Sequence, residues 1–420
     1  MSWINLEKIN EFFNSKITKA CLVVFFLIFV AIESMGQGDF YIYYSAASKL
    51  FGDESIYLMT FCDGFHYLYS LFFALCLYPF TFLPFYLCKF LWLFLNGVLL
   101  KKTIELIISY FDEKQNFVKH PTWFYVLVVL FTFRLAYQNF HASQITIVIL
   151  FLSIQAIDFI FNKDKVLLGS FLLALSVNIK LLPLVLIPYL FYRAKFKALA
   201  YVLGFCLVLW FLPSVFIGFS KNINWILDWW GIMNPTTQKN ILDVEERSFH
   251  SLATLFATLF IENPPDRYAL TIKRNILNLS IEQLNVILNG TRLLLAALTL
   301  YFLSSLPFKN AQSKLHQLYE VSYILAVVPL IFPHQQHYAF IFLLPAFCVL
   351  LHYVCFETEN RKLFSFRVTV GFLILAFLCF NLSIILGEFN EYYEHFKIVT
   401  YGALISIGLL FYPPLKKRFV

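Results

Sequence analysis

Long apolar runs follow one another along the chain, separated by short polar segments, from Ile17 to the basic cluster at 416–418. The runs are continuous rather than alternating, which predicts membrane helices and not the strands of a barrel. At roughly 20 residues per crossing plus loops, about twelve helices fit the length. The expected fold class is therefore all-α, a polytopic transmembrane helical bundle with outer-face loops and interfacial helices. The first run, Ile17–Ser34, follows Lys8, Lys16 and Lys19 and lacks a small-residue cleavage site. It reads as a retained helix with a cytoplasmic N-terminus. Lys416, Lys417 and Arg418 put the C-terminus on the same side, so the number of crossings should be even.

The loops rich in Lys and Arg lie at about 101–120, 162–166, 193–197, 307–317 and 357–367, and these are assigned to the cytoplasm. Opposite them fall 36–64, 138–144, the surroundings of Lys180, 219–289, 333–337 and 387–396. The run 65–100 is long enough for two crossings, with Pro79 and Pro84 at the turn, or for one. A second crossing there needs a compensating change elsewhere, such as fusion of 167–179 with 181–192. The long outer loop, 219–289, begins with Trp225, Trp229 and Trp230, side chains typical of the headgroup level. Within it 249–261 is apolar but too short to span, so it should lie on or dip into the membrane. No fixed-period repeat, low-complexity tract or soluble domain interrupts the pattern. Residues 1–420 read as a single integral membrane domain.

Composition sharpens this. The chain is 60% hydrophobic and 14% charged, against about 25% charged in soluble domains. Too little charge is present to cover a water-facing surface, which excludes a soluble enzyme, a disordered protein and a secreted disulfide scaffold. The net charge of +7 records which loops stay inside and gives no reason to expect nucleic acid as a partner. Seven of the eight Cys lie in apolar runs; Cys62 sits in a loop without an obvious partner, and no CxxC occurs. Neither a disulfide framework nor a thiolate metal site is indicated.

Candidate chemistry gathers in the outer segments. Asp39 follows Gly36 and Gly38 just where the first helix leaves the bilayer. A partly desolvated carboxylate there has a raised pKa and suits proton abstraction from a hydroxyl; alternatively Asp39 caps a helix over 40–51. Lys180 is a lone cation between two short apolar pieces, followed by Pro183. It either holds an anion or snorkels to the interface. In Pro333-His334-Gln335-Gln336-His337-Tyr338 the i, i+3 spacing puts His334 and His337 on one side of a turn, facing a phosphate or sugar. A two-His metal site there needs further ligands from afar; the plain alternative is a polar turn. Arg247, with Glu245, Glu246 and His250, either grips a phosphate or forms ion pairs in a solvated loop. Asp53, Glu54 and Asp63 read as exposed turns, and Arg134 and His141 as weaker candidates for a cavity wall.

Gly38-Asp39-Phe40, Tyr43-Tyr44-x-Ala46-Ala47, Leu50, Gly52 and Ile56-Tyr57 resemble the opening of glycosyltransferase family 87. Tyr69, Pro79, Pro84, Leu91-Trp92 and Leu95-Asn96 fit its second apolar region, although Ser70 and Leu71 stand where the family usually has prolines. His141-Ala142-Ser143-Gln144-Ile145 is similar to its Gly-Gln-x-Asn turn, with Ser143 in place of Gly and Thr146 near the Asn position. Gly169 and Asn178-Ile179-Lys180-Leu181-Leu182-Pro183 resemble its hinge, with Arg193 and Lys195 following; Phe249-His250-Ser251-Leu252 lacks the usual Asn. The similarity runs through roughly the first 200 residues and thins afterwards.

The resemblance implies a GT-C type membrane transferase using a polyprenyl-phosphate sugar, typically mannose, and a glycolipid or glycan acceptor. Asp39 is then the catalytic base. Lys180, His334, His337 and Arg247 are expected at the donor phosphate, and Tyr43, Tyr44, Gln144 and His250 along the cavity. No cofactor is expected, and no metal is required if cationic side chains neutralise the phosphate. The implied setting is a bacterial inner or plasma membrane. The rival readings are a lipid-linked saccharide flippase or transporter and a surface-polysaccharide polymerase or ligase.

Overall fold

The computed structural model describes residues 6–61, 64–111, 120–235, 237–356 and 364–420. Their regular elements are all helices, apart from an isolated bridge between Phe61 and Phe65. The helices that matter for the site are α1 (Lys16–Ser34), α2 (Gly38–Ser48), α3 (Phe133–His141), α4 (Thr146–Phe161), α5 (Val166–Ile179), α6 (Leu186–Tyr192), α7 (Leu252–Phe260), α8 (Ile281–Leu303), α9 (Lys314–Ile331), α10 (Leu344–Phe356) and α11 (Asn390–His395). Contacts divide the chain into two compact units: residues 1–130, 136–181 and 197–232, and residues 131–135, 182–196 and 233–420.

In the first unit, Ser15 caps α1 by accepting from the Thr18 amide at 3.0 Å. Apolar side chains along α1, Leu22, Val23, Phe25 and Ile28 among them, are largely exposed, as a lipid-facing helix requires. Helices α4 and α5 form the tightest pair. At Gly169 a Cβ would stand 2.7 Å from Ile160 Cγ1 and 2.9 Å from the Ala156 carbonyl, so only glycine lets the backbones approach this closely. The run 65–100 breaks as the prolines suggest. A short helix, Leu71–Leu77, tightens into the 3-10 turn Tyr78–Phe82, and a longer helix, Phe85–Ser109, starts after Pro84.

The second unit is built around α9, buried from Leu315 to Leu330. Within it Glu320 pairs with the buried Arg193, whose other N–H groups donate to the Leu303 carbonyl and Ser305. A buried ion pair is tolerable where its remaining donors are satisfied in this way.

Among the described residues, five helices are long and apolar enough to cross a membrane, or up to seven if two bent pairs each count as one span. Twelve crossings are not shown among the described residues. The physical reason is fragmentation: Leu71–Phe82, Thr122–Phe131, Val166–Ile179 and Leu182–Tyr192 are apolar but short. The 249–261 segment also differs from expectation. Helix α7 buries Leu252, Ala253, Leu255 and Ala257 inside the protein, with Ala257 joining a cluster of Ile241, Leu242, Val244 and Leu284. Protein rather than lipid takes up its apolar face. Asp53 and Glu54 are exposed, as expected, whereas Cys62 and Asp63 lie outside the described residues. The seven Cys of the apolar runs are unbridged.

Candidate functional site

Asp39 does not cap α2. The helix begins at Gly38, so Asp39 lies in its first turn, and its backbone N–H donates to the Ala142 carbonyl at 2.9 Å. Gly38 makes this possible. Its φ is +60°, and a Cβ there would stand 3.0 Å from Ser143 Oγ. The opposite face of the contact is the sharp bend of 120° between α3 and α4. Ser143, at φ 56°, takes the left-handed conformation that glycine adopts at no steric cost.

The bend delivers Gln144. Its Nε2 donates to Asp39 Oδ2, while its Oε1 accepts from Tyr43 at 3.2 Å and Tyr69 at 3.4 Å. The Tyr43 and Tyr69 hydroxyls are 2.9 Å apart. The helix Phe85–Ser109 pins both turns from one face: Lys89 Nζ donates to the Gly36 carbonyl at 3.0 Å and Trp92 Nε1 to the Ser143 carbonyl at 3.0 Å. Their i, i+3 spacing puts them side by side on the helix.

Lys180 completes the group. Helix α5 stops at Ile179, Lys180 is extended, and the chain resumes as the 3-10 turn Leu182–Val185, so the expected break is present. The side chain is buried, with Nζ 5.4 Å from the centre of the Tyr69 ring. Burial pushes the Asp39 carboxyl up to about 6, against the opposing effects of the Gln144 hydrogen bond and the Lys180 charge. Burial likewise draws Lys180 down to about 8, against the pull of Asp39. Burial and then the Asp39 charge keep the Tyr69 phenol protonated. The group thus holds a partly buried carboxylate poised near neutrality beside a buried cation.

The second unit places most of the remaining candidates. His334 has φ 59°, which reverses the chain direction there. Its Nδ1 lies 3.1 Å from Asp243 Oδ1 and its Nε2 2.7 Å from Asn240 Oδ1. Asp243 is itself buried and accepts from Ser251 at 2.5 Å and Thr254 at 2.8 Å, which fixes the start of α7. His337 turns elsewhere. Its Nε2 is 3.1 Å from Glu394 Oε1, and His250 Nε2 is 3.0 Å from Glu394 Oε2. The expectation that His334 and His337 share one side of a turn is therefore corrected, because the left-handed residue sends their rings to different carboxylates. Arg247 makes a half-exposed contact with Glu391 at 3.4 Å, the solvated ion pair of the plainer reading. Tyr44 is likewise turned away from Asp39 and donates to the carbonyls of Thr81 and Leu83. His141 faces Glu33, and Arg134 Nε donates to Ser383.

His250, His337 and Glu394 have ligand atoms within 4.8 Å of one another, the donor set that zinc takes with a fourth position open. The surroundings suit a metal less well. His250 Nδ1 is buried without a partner, where a metal-bound imidazole passes its second N–H to an acceptor. Burial, then the charge of His337, takes His250 down to about 3, against the pull of Glu394. Burial alone would raise Glu394, but the two imidazoles outweigh it and hold the carboxyl well below its usual range. Lys397 adds positive charge nearby; burial draws it down to about 8. Of the residues important here, Lys89, Asp243, Glu394 and Lys397 carry no candidate role in the sequence reading. Lys89 alone left a signal, as a Lys inside an apolar run.

Comparison with known proteins adds one match. The family model described as glycosyltransferase family 87 matches residues 67–333, more than half of the chain. The match starts beyond Asp39 and extends well past the first 200 residues, where the local motifs thin. No curated protein and no solved structure matches the chain. The helical, span-bearing architecture and this match together make the chain a membrane glycosyltransferase, and it belongs to glycosyltransferase family 87.

Proposed function

We propose that the protein transfers one sugar, with mannose the expected one, from a polyprenyl phosphate to a hydroxyl of a glycolipid or glycan. The reaction takes place on the outer face of a bacterial inner or plasma membrane, with both termini in the cytoplasm. The observation that carries this reading is the Asp39 carboxyl, pushed up to about 6, held by Gln144 and within electrostatic reach of the buried Lys180. Asp39 takes the proton of the acceptor hydroxyl. The oxygen attacks the anomeric carbon, the bond from that carbon to the phosphate oxygen breaks, and its electron pair leaves with the lipid phosphate. A single in-line displacement inverts the centre. Lys180 meets the negative charge that grows on the departing phosphate, while Tyr43 and Tyr69 fix the Gln144 amide with its N–H groups toward Asp39. No step calls for a cofactor, since a cation is already present. His334, His337 and Arg247 hold the loops of the second unit rather than the phosphate.

The test uses purified protein in detergent or liposomes with polyprenyl-phosphate mannose. Loss of general-base catalysis in Asp39→Asn lowers transfer by about 10²- to 10⁴-fold with an unchanged melting temperature. Transfer at a similar rate in that variant removes Asp39 from the role of base.

A further inference from the structure

We infer that Lys89 and Trp92 are positioning residues of the Asp39–Gln144 pair, holding the turn that leads into Asp39 and the turn that leads into Gln144 at hydrogen-bonding distance. For the reaction, this rests on the reading of Asp39 as the base. Neither turn fixes that spacing by itself. Each contains a left-handed residue, Gly38 at φ +60° and Ser143 at φ 56°, so helical pairing is interrupted and the turn carbonyls need partners from elsewhere. The Asp39 N–H reaches the Ala142 carbonyl at 2.9 Å, and Glu33 meets His141 at 3.2 Å. The second of these ties is weak, since the His141 side chain is 60% exposed.

The helix Phe85–Ser109 supplies the missing constraint. Lys89 Nζ donates to the Gly36 carbonyl and Trp92 Nε1 to the Ser143 carbonyl, each at 3.0 Å. Both side chains are buried, while Leu87, Leu91, Phe94 and Leu95 on the same helix are exposed. The lysine therefore turns inward instead of snorkelling outward, and a cation kept inside an apolar run is costly unless it has a task. The carboxylate whose charge acts on it is that of Glu33. The Trp92 ring also lies 5.4 Å from that of Phe40 and 6.1 Å from that of Tyr43, so one side chain touches both α2 and the bend. This gives a role to the Leu91-Trp92 pair, which the sequence pattern picks out without one. The cation whose charge acts on Asp39 is Lys180, and the phenol beside it is Tyr69; Lys89 acts through the Gly36 carbonyl.

The experiment titrates the Asp39 carboxyl by infrared spectroscopy of the full-length protein in liposomes, its band identified by absence in Asp39→Asn. Trp92→Phe keeps an aromatic ring and removes the N–H; Lys89→Met keeps a chain of similar length and removes the ammonium. With either hold released, the Gln144 hydrogen bond that favours the ionised carboxyl weakens. The midpoint should then rise from about 6 by about 0.5–1 unit in each variant. The kcat for transfer should fall by about three- to tenfold on the acid limb and rejoin wild type above it, with the KM for polyprenyl-phosphate mannose unchanged. A merely structural role lowers the folded fraction, and with it the rate, alike at every pH and leaves the midpoint in place. A midpoint unmoved in either variant overturns the proposal. If the midpoint rises in both and the acid limb of transfer does not follow, the two positioning roles stand and the assignment of Asp39 as base fails.

Discussion

Two buried clusters, one in each unit, centre on a carboxylate, and they set it to opposite tasks. Asp39 keeps part of its surface open, accepts from the amide of Gln144, and is pushed up to about 6 by burial that Gln144 and Lys180 only partly offset. Glu394 is buried, is flanked by His250 and His337 on its two oxygens, and is held ionised. A group whose partners leave its proton affinity near neutrality can exchange a proton with a substrate. One saturated by imidazoles cannot, and its charge serves to lock loops together. Environments that push two carboxylates apart separate the acid–base role from the structural one.

The largest effect that can break this contrast is kinetic. Asp39→Asn removes about two to four orders of magnitude of transfer with little change in melting temperature, whereas Glu394→Gln lowers the melting temperature while the folded fraction retains activity. If Glu394→Gln instead gives a stable, inactive protein, the second cluster is chemical and the contrast fails.

Stability is where Glu394 should matter most. Glu394→Ala leaves the buried His250 Nε2 without its acceptor, at about 1–3 kcal/mol, and removes the carboxylate that lies 3.1 Å from His337 Nε2. Chemical denaturation in mixed micelles should show a loss of that order. Chelators should leave the wild-type midpoint unchanged, because Glu394 already meets both imidazoles. A midpoint that falls with chelator and returns with zinc would make the triad a metal centre instead.

The pH profile sharpens the first cluster. In the proposed reaction Asp39 acts ionised, so transfer should rise with pH through about 6; Lys180 acts protonated there, so transfer should fall through about 8. An optimum near neutrality follows, with both limbs belonging to a coupled pair. The Gln144 hydrogen bond lowers the Asp39 pKa, so Gln144→Leu should move the acid limb upward. Each unit of displacement costs about tenfold in rate on that limb. An acid limb that stays in place in Gln144→Leu takes the amide out of the site.

These two clusters were not equally legible in the sequence. Asp39, Ser143-Gln144 and Lys180 each sit where an apolar run breaks, and Gly38 announces its left-handed turn by being glycine. Breaks are local, so local reading finds them. The Glu394 cluster joins residues 144 positions apart in the chain, and nothing near His250 points to it. The His334/His337 spacing misled because i, i+3 proximity presumes right-handed geometry, and a φ of 59° at His334 removes it. The twelve expected spans are not confirmed for a related reason. Hydropathy registers apolar length, whereas the breaks after Phe82 and Ile179 leave apolar helices shorter than a span among the described residues.

The smallest effect concerns Arg247, the one candidate phosphate ligand that resembles neither cluster. Its guanidinium contacts Glu391 at 3.4 Å, with side chains 37% and 55% exposed. Water screens such a pair and side-chain entropy opposes it, leaving about 0–1 kcal/mol. What ties this loop down is instead its backbone, since Lys397 Nζ donates to the Arg247 carbonyl at 2.8 Å, and alanine keeps that carbonyl. Arg247→Ala should therefore change neither transfer nor the melting temperature beyond experimental scatter, at low salt as at high. Lys397→Ala removes the donor and should loosen the loop and lower the melting temperature. A drop in transfer for Arg247→Ala at constant stability, steepest at low donor concentration, would restore its guanidinium to the donor phosphate and give the second unit a direct part in the chemistry.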